Sequence, residues 1–169
     1  KIVAEKLKAL EVNVFACDPF VTEESANQLG VKLVDMESLF SECDIISNHL
    51  ANKAELENIF NFNLFKRMKK HSTFINTGRG AQVSEYSLAL SLLLHPSRTF
   101  VGDVIKREFF PYINPLYWCP NAILTPHIAG SIGKEPQRMA YYMMEELDRF
   151  LYGGAVKFEI NLEALEHMA

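Results

Sequence analysis

An α/β fold, a doubly wound parallel sheet with helices on both faces, is what this chain predicts, on three observations. Short runs rich in Val, Ile and Phe alternate with helical patterns through most of the 169 residues. The alternation repeats about every 20–30 residues, enough for the crossover that returns a chain to a parallel neighbour. Residues suited to chemistry, namely Asp18, His49, the stretch 77–79, Asp103 and His127, fall at or just beyond the ends of the strand-like runs. In open sheets of this kind ligands sit outside the carboxyl ends of the strands, so these side chains should meet on one rim.

The elements follow in order. Ile2, Val3, Leu7 and Leu10 recur at helical spacing among Lys and Glu, so the chain opens inside an amphipathic helix. VNVFAC, 12–17, reads as a buried strand stopped by Asp18-Pro19. Residues 23–29 form a short helix ended by Gly30, and 31–34 a short strand. A further short helix at 36–40 precedes the strand DIISNHL, 44–50. Residues 60–68 are helical by their spacing of Phe, Leu and Met, and TFIN, 73–76, is a strand broken by the Gly78-Arg79-Gly80 turn. Ser84 is placed to cap a helix carrying Tyr86, Leu88, Leu90 and Leu92 to Leu94, which Pro96 stops. Residues 99–105 read as a strand containing Asp103. A loop rich in Phe, Tyr and Pro fills 109–120, and AILT, 122–125, is the last strand. After the Gly130-Ser131-Ile132-Gly133 turn a long helix spans about 135–152, closed by Gly153-Gly154, and a tail with a final helical turn ends the chain. Met139, Met143 and Met144 read as a face of that helix packed on a neighbour.

Composition narrows the function. A formal net charge of −4 argues against nucleic acid, which wants clustered Lys and Arg. Three scattered cysteines, Cys17, Cys43 and Cys119, point to a reducing, cytoplasmic setting without disulfides. No apolar run approaches the roughly 18 residues of a spanning helix, and the Lys- and Glu-rich start is no signal peptide. Because the sequence begins with Lys1, it is expected to be part of a longer protein.

An acidic residue ending the second strand of a Rossmann-type dinucleotide fold binds the adenosine ribose, about 20 residues beyond a glycine-rich turn. Asp18 fits that place if the turn and the first strand lie before residue 1. It equally fits a plain Asp-Pro turn. As a ribose ligand its charge would repel a 2′-phosphate, which favours NAD over NADP. Arg79, flanked by Gly78 and Gly80, either points a guanidinium into the crevice, where its planar fork suits a carboxylate, or lies on the surface. His127, in TPHIAG, follows another strand, with Gly130 free to approach whatever lies beside it. A general acid needs a proton to give near neutral pH, and an adjacent carboxylate favours the charged imidazole. Glu108 is the candidate carboxylate, against the alternative of solvated charge. The sequence has no Gly-x-Ser-x-Gly elbow, Walker loop or HExxH helix. Cys43, Asp44 and His49 make no metal site, because strand neighbours point to opposite faces.

The strings FACDPF, CDIISNHL, TFINTGRGAQVSE, GDVIKRE and AILTPHIAGS, in this order and at these separations, resemble the D-isomer-specific 2-hydroxyacid dehydrogenase family over nearly the whole chain. The resemblance implies hydride transfer between NAD and a 2-oxo or D-2-hydroxy acid. Arg79 would hold the substrate carboxylate and polarise its carbonyl, His127 would exchange the proton, and Glu108 would orient His127. Asp18 would hold the ribose and Asp103 the nicotinamide carboxamide, with His49, Leu50, Ala51, Thr77, Gly78 and Gly130 lining the cofactor. Residues 1–132 would form the dinucleotide-binding domain, and 133–169 an interdomain helix and a return segment toward a substrate domain outside this sequence. The complete protein would be a homodimer. The chain departs from the family at Lys106, Phe109 and Phe110, which stand where acidic and proline residues are usual, and at Ala51 and Lys53, which replace a Pro and a Thr. A nucleotide-sensing protein of corepressor type on the same scaffold is the alternative function.

Overall fold

The computed structural model describes residues 2–106, 108 and 113–160. Helices and strands alternate as α1 (Ile2–Lys8), β1 (Val14–Ala16), α2 (Glu23–Leu29), β2 (Val31–Leu33), α3 (Met36–Glu42) and β3 (Ile45–Asn48). They continue as α4 (Phe62–Phe65), β4 (Thr73–Asn76), α5 (Glu85–Leu94), β5 (Thr99–Gly102), β6 (Ala122–Leu124) and α6 (Glu135–Leu151). All described strand pairs are parallel, with helices flanking them, as the alternation predicts. The strands fall into two sheets, β1-β2 and β3-β4-β5-β6. β1 and β3 are not hydrogen-bonded to each other.

Register decides where the core lies. Ile46, Phe74 and Phe100 stand side by side on β3, β4 and β5, and all are buried. Phe74 is surrounded by the rings of Phe40, Phe60, Phe65 and Phe100, with centroids 5.3–5.9 Å away. Helices α3, α4 and α5 supply Phe40, Leu64, Phe65, Leu88 and Leu92 to this cluster. Because side chains on a strand alternate, the residues two positions on share that buried face. They are Asn48, Asn76 and Gly102, so the core turns polar at the carboxyl ends of the strands.

Local chemistry explains the boundaries. Thr22 accepts from Ser25 N at the start of α2, and Gly30 closes the helix at φ 68°, a left-handed position that glycine adopts without a Cβ clash. The helix expected at 60–68 shrinks to Phe62–Phe65. Its start is set by Phe60, which bridges to Val83, and by Asn61, whose side chain accepts from Asn63 N; past its end the buried Arg98 guanidinium donates to the carbonyls of Phe65, Lys66, Met68 and Lys69, which a helix ending at 68 leaves without a partner of its own. Ser84 does occupy the N-cap position of α5 but caps no backbone N–H; its hydroxyl lies 2.7 Å from that of Ser87 instead. The strand expected at 99–105 ends at Gly102; the Asp103 backbone still pairs with Asn76 and His127, and its carboxylate binds the loop after β6. Met139, Met143 and Met144 are exposed on α6, and none of the described residues buries that face. Phe109, Phe110 and the final helical turn lie outside the described residues.

Candidate active site

Three strand ends build the site. Beyond β4 the chain runs through Thr77 and Gly78 to Arg79, whose Nη1 donates to the Gly78 carbonyl at 2.8 Å. Gly80 follows, and a Cβ there would overlap the backbone carbonyl of Ile105. That close approach presses the Arg79 turn against the chain leaving β5 and needs a residue without a side chain.

The chain leaving β5 is fastened on both sides. Lys106 N donates to Glu85 Oε1 at 2.7 Å, and Lys106 Nζ pairs with Glu57 Oε1 at 2.6 Å. The hydrogen bond and charge of Lys106 hold the Glu57 carboxyl below its ordinary range. Lys106, a departure from the family pattern, thus finds its own partners two residues before Glu108.

Asp103, at the end of β5, is 5% exposed. Its Oδ1 accepts from the Thr125 hydroxyl and from Ile128 N at 2.8 Å, and its Oδ2 from Ala129 N at 2.8 Å. Burial alone would raise its pKa. The bonds from Thr125, Ala129 and Ile128, with nearby His127, outweigh burial and hold the carboxyl below its ordinary value. Asp103 therefore fixes the loop after β6, and with it His127. The His127 N–H reaches both the Asp103 and the Thr125 carbonyl at 3.0 Å, and its backbone sits at φ 56°.

The ring of His127 points Nδ1 at Glu108, 3.1 Å from Oε1 and 3.2 Å from Oε2. A carboxylate only accepts, so the Nδ1 proton faces Glu108 and Nε2 is the nitrogen left for a ligand. The pair is open to solvent, at 52% and 41% exposure. Arg79 and His127 line one cleft of about 520 Å³, with Thr77, Asp103, Gly130 and Ser131.

The remaining expected residues lie around this cleft or apart from it. Asp18 sits exposed after β1, its Oδ1 accepting from Phe20 N at 2.9 Å, which is the turn that Asp-Pro favours. His49 is exposed, with Nε2 2.9 Å from the Ser47 hydroxyl. The carbonyls of Leu50 and Ala51 accept from Gln82 Nε2 at 3.3 and 2.7 Å. Gly78 packs so tightly that a Cβ would come 2.7 Å from Asn48 Nδ2, whereas a Cβ on Gly130 would meet nothing within 4 Å. Gly130 therefore borders open cleft and not a close neighbour. Sequence reasoning missed Asn48, Gln82 and Thr125. The signal for Asn48 was present, since it follows Ile46 by two on a buried strand face.

These residues fit a nicotinamide dinucleotide. The exposed Asp18 carboxylate stands at a strand end where ribose hydroxyls can donate to it. Asp103 uses three of the roughly four acceptor sites of a carboxylate on described partners, which leaves room for a carboxamide N–H. Among the described residues no group of His, Cys, Asp and Glu could hold a metal ion, and no helix is long and apolar enough to cross a membrane.

Residues 1–129 match the family described as D-isomer specific 2-hydroxyacid dehydrogenase, NAD binding domain, and the chain belongs to that family. It is 34% identical over 164 residues to D-3-phosphoglycerate dehydrogenase of Archaeoglobus fulgidus, covering 97% of this chain and 31% of that protein. It is 28% identical to glyoxylate reductase of Korarchaeum cryptofilum, covering 97% and 49%. The apo structure of D-lactate dehydrogenase from Escherichia coli superposes with a TM-score of 0.72 at 27% identity, over 94% of this chain and 50% of that one. D-lactate dehydrogenase of Lactobacillus jensenii with NAD+ gives 0.79 at 24% identity, over 95% and 52%, a likeness of fold alone. The chain thus spans about a third to a half of the relatives it matches.

Proposed function

We propose that this chain is the nucleotide-binding part of an NAD-dependent dehydrogenase that interconverts a 2-oxo acid and a D-2-hydroxy acid. The observation that carries this reading is the shared cleft of Arg79 and His127, with Glu108 on the far nitrogen of the imidazole. Arg79 would bind the substrate carboxylate through its planar fork and draw electron density from the neighbouring carbonyl oxygen. His127 Nε2 would give its proton to that oxygen during reduction and take it back during oxidation. Glu108 would hold the ring by Nδ1 and balance its positive charge. Asp103 would keep the His127 loop in place and accept from the carboxamide. Bound NAD supplies the hydride acceptor or donor. Asp18, residues 49–51, Thr77, Gly78 and Gly130 would border it.

In this reading residues 1–132 form the dinucleotide-binding domain, and 133–169 lead toward a substrate domain. The complete protein is a cytoplasmic homodimer that acts on a small molecule and not on nucleic acid. Assaying it for NADH oxidation with a panel of 2-oxo acids tests the proposal, and turnover of at least one acid is expected. Binding of NADH without turnover of any acid would make it a nucleotide-responsive binding protein of corepressor type instead.

A further inference from the structure

Beneath the cleft lies a set of buried polar side chains that touch no reacting group. Asn48, Asn76 and Gln82 are 2%, 0% and 1% exposed. Asn48 and Asn76 are partners in the β3-β4 register, and Gln82 reaches them from the turn Gly80–Gln82 that follows Arg79. Asn48 Nδ2 donates to Asn76 Oδ1 at 2.9 Å and to Gln82 Oε1 at 2.7 Å. Each amide also grips backbone. Asn48 Oδ1 accepts from Leu50 N at 2.9 Å, and Gln82 Nε2 donates to the carbonyls of Leu50 and Ala51. Asn76 Oδ1 accepts from Gly78 N at 3.1 Å, and its Nδ2 donates to the Arg79 carbonyl at 3.3 Å.

Filling the same volume with apolar side chains would avoid the cost of burying amides. What the amides add is a cross-link between two loops from different strands: one borders the expected cofactor at 49–51, the other carries Arg79. Gly78 belongs to the same arrangement, because only a residue without a side chain leaves room for Asn48 Nδ2. Fully satisfied buried polar networks hold their members in one arrangement.

We infer that Asn48 and Gln82 are positioning residues that couple the loop at 49–51 to Arg79, so that a nicotinamide dinucleotide and a 2-oxo acid reinforce each other's binding. The identity of the two ligands rests on the functional reading above; the cross-link itself does not. Coupling of this kind is reciprocal, each ligand raising the affinity of the other by the same factor.

Gln82→Met in the complete protein keeps the length of the side chain and removes both amide atoms. Hydrogen exchange should show the N–H groups of Leu50 and Gly78 losing protection together, although Gln82 bonds to neither N–H. Titrating NADH with and without oxamate, a 2-oxo acid analogue that cannot be reduced, gives the coupling factor. That factor should be about 5-fold or more in the wild type and fall toward one in the variant. Leu92→Ala, in the core away from these amides, should lower the unfolding midpoint without moving the coupling factor. Asn48→Ala, which opens the bridge from its other side, should repeat both results if Gln82→Met does not fold. Loss of protection at Leu50 with Gly78 unchanged, or an unchanged coupling factor, would overturn the inference. A wild type that takes NADH, ignores oxamate and reduces no 2-oxo acid, while both N–H groups still respond to Gln82→Met, would defeat the functional reading and leave the cross-link standing.

Discussion

Glu108 faces the Nδ1 nitrogen of His127 with both carboxylate oxygens, at 3.1 and 3.2 Å, across a sequence separation of 19 residues. This arrangement fixes which ring nitrogen is available and ties the two side chains together. His127→Ala is expected to lower kcat/KM by about 10²–10⁴-fold and to remove one limb of its pH profile. Glu108→Gln should reduce turnover while NADH affinity stays unchanged. A His127→Ala profile of unaltered shape would point to another proton carrier.

In the proposed reading Arg79 contacts the substrate and not the nucleotide. Arg79→Ala should lower turnover by about 10²–10³-fold, the range for losing one cationic or hydrogen-bonding stabiliser of developing negative charge. Calorimetry with NADH should show little change. Equal losses of turnover and NADH affinity would contradict the role assigned to the guanidinium.

Gly80 stands where the Arg79 turn meets the chain leaving β5, with no space for a methyl group. Gly80→Ala is expected to destabilise the protein by about 1–3 kcal/mol through overpacking. Denaturant unfolding measures this, and an unchanged midpoint would show that the Ile105 backbone gives way freely.

The native Asp103 carboxyl titrates below its ordinary value. A group whose pKa is lowered by folding contributes stability that is complete above the unfolded value, near 3.9, and that is lost as the pH falls through the native one. Urea unfolding at pH 7 and pH 3 should therefore show a larger acid loss for the wild type than for Asp103→Asn. Parallel losses would mean that the bonds to Thr125, Ile128 and Ala129 do not favour the charged form.

By itself the 169-residue chain is expected to bind NAD feebly. The edges of β1 and β3 are not joined to each other, and these residues contain no glycine-rich turn to hold a pyrophosphate. Micromolar affinity by calorimetry would refute this.

Much of the fold was legible because its signals are local. The helix α2 is closed by Gly30, and the strand β4 is a run of four residues stopped by a glycine turn. The rim of strand ends followed from the alternation, and it brought Arg79, Asp103 and His127 to one cleft. What stayed hidden depends on partners far along the chain. Arg98 binds the carbonyls of Phe65, Lys66, Met68 and Lys69 from 29–33 residues away, and Asn48 meets Gln82 across 34. No period or cap announces such pairings. The use of Asp103 was hidden for the same reason, since its partners at 125, 128 and 129 follow the next strand.

His127 stands at φ 56° with two carbonyls around its N–H, a conformation uncommon for any residue but glycine, although His tolerates it better than most. The imidazole is thus carried on a backbone conformation that costs a side-chain-bearing residue free energy. A glycine here would sit at ease, so His127→Gly should make a sturdier protein than His127→Ala and an equally inert one.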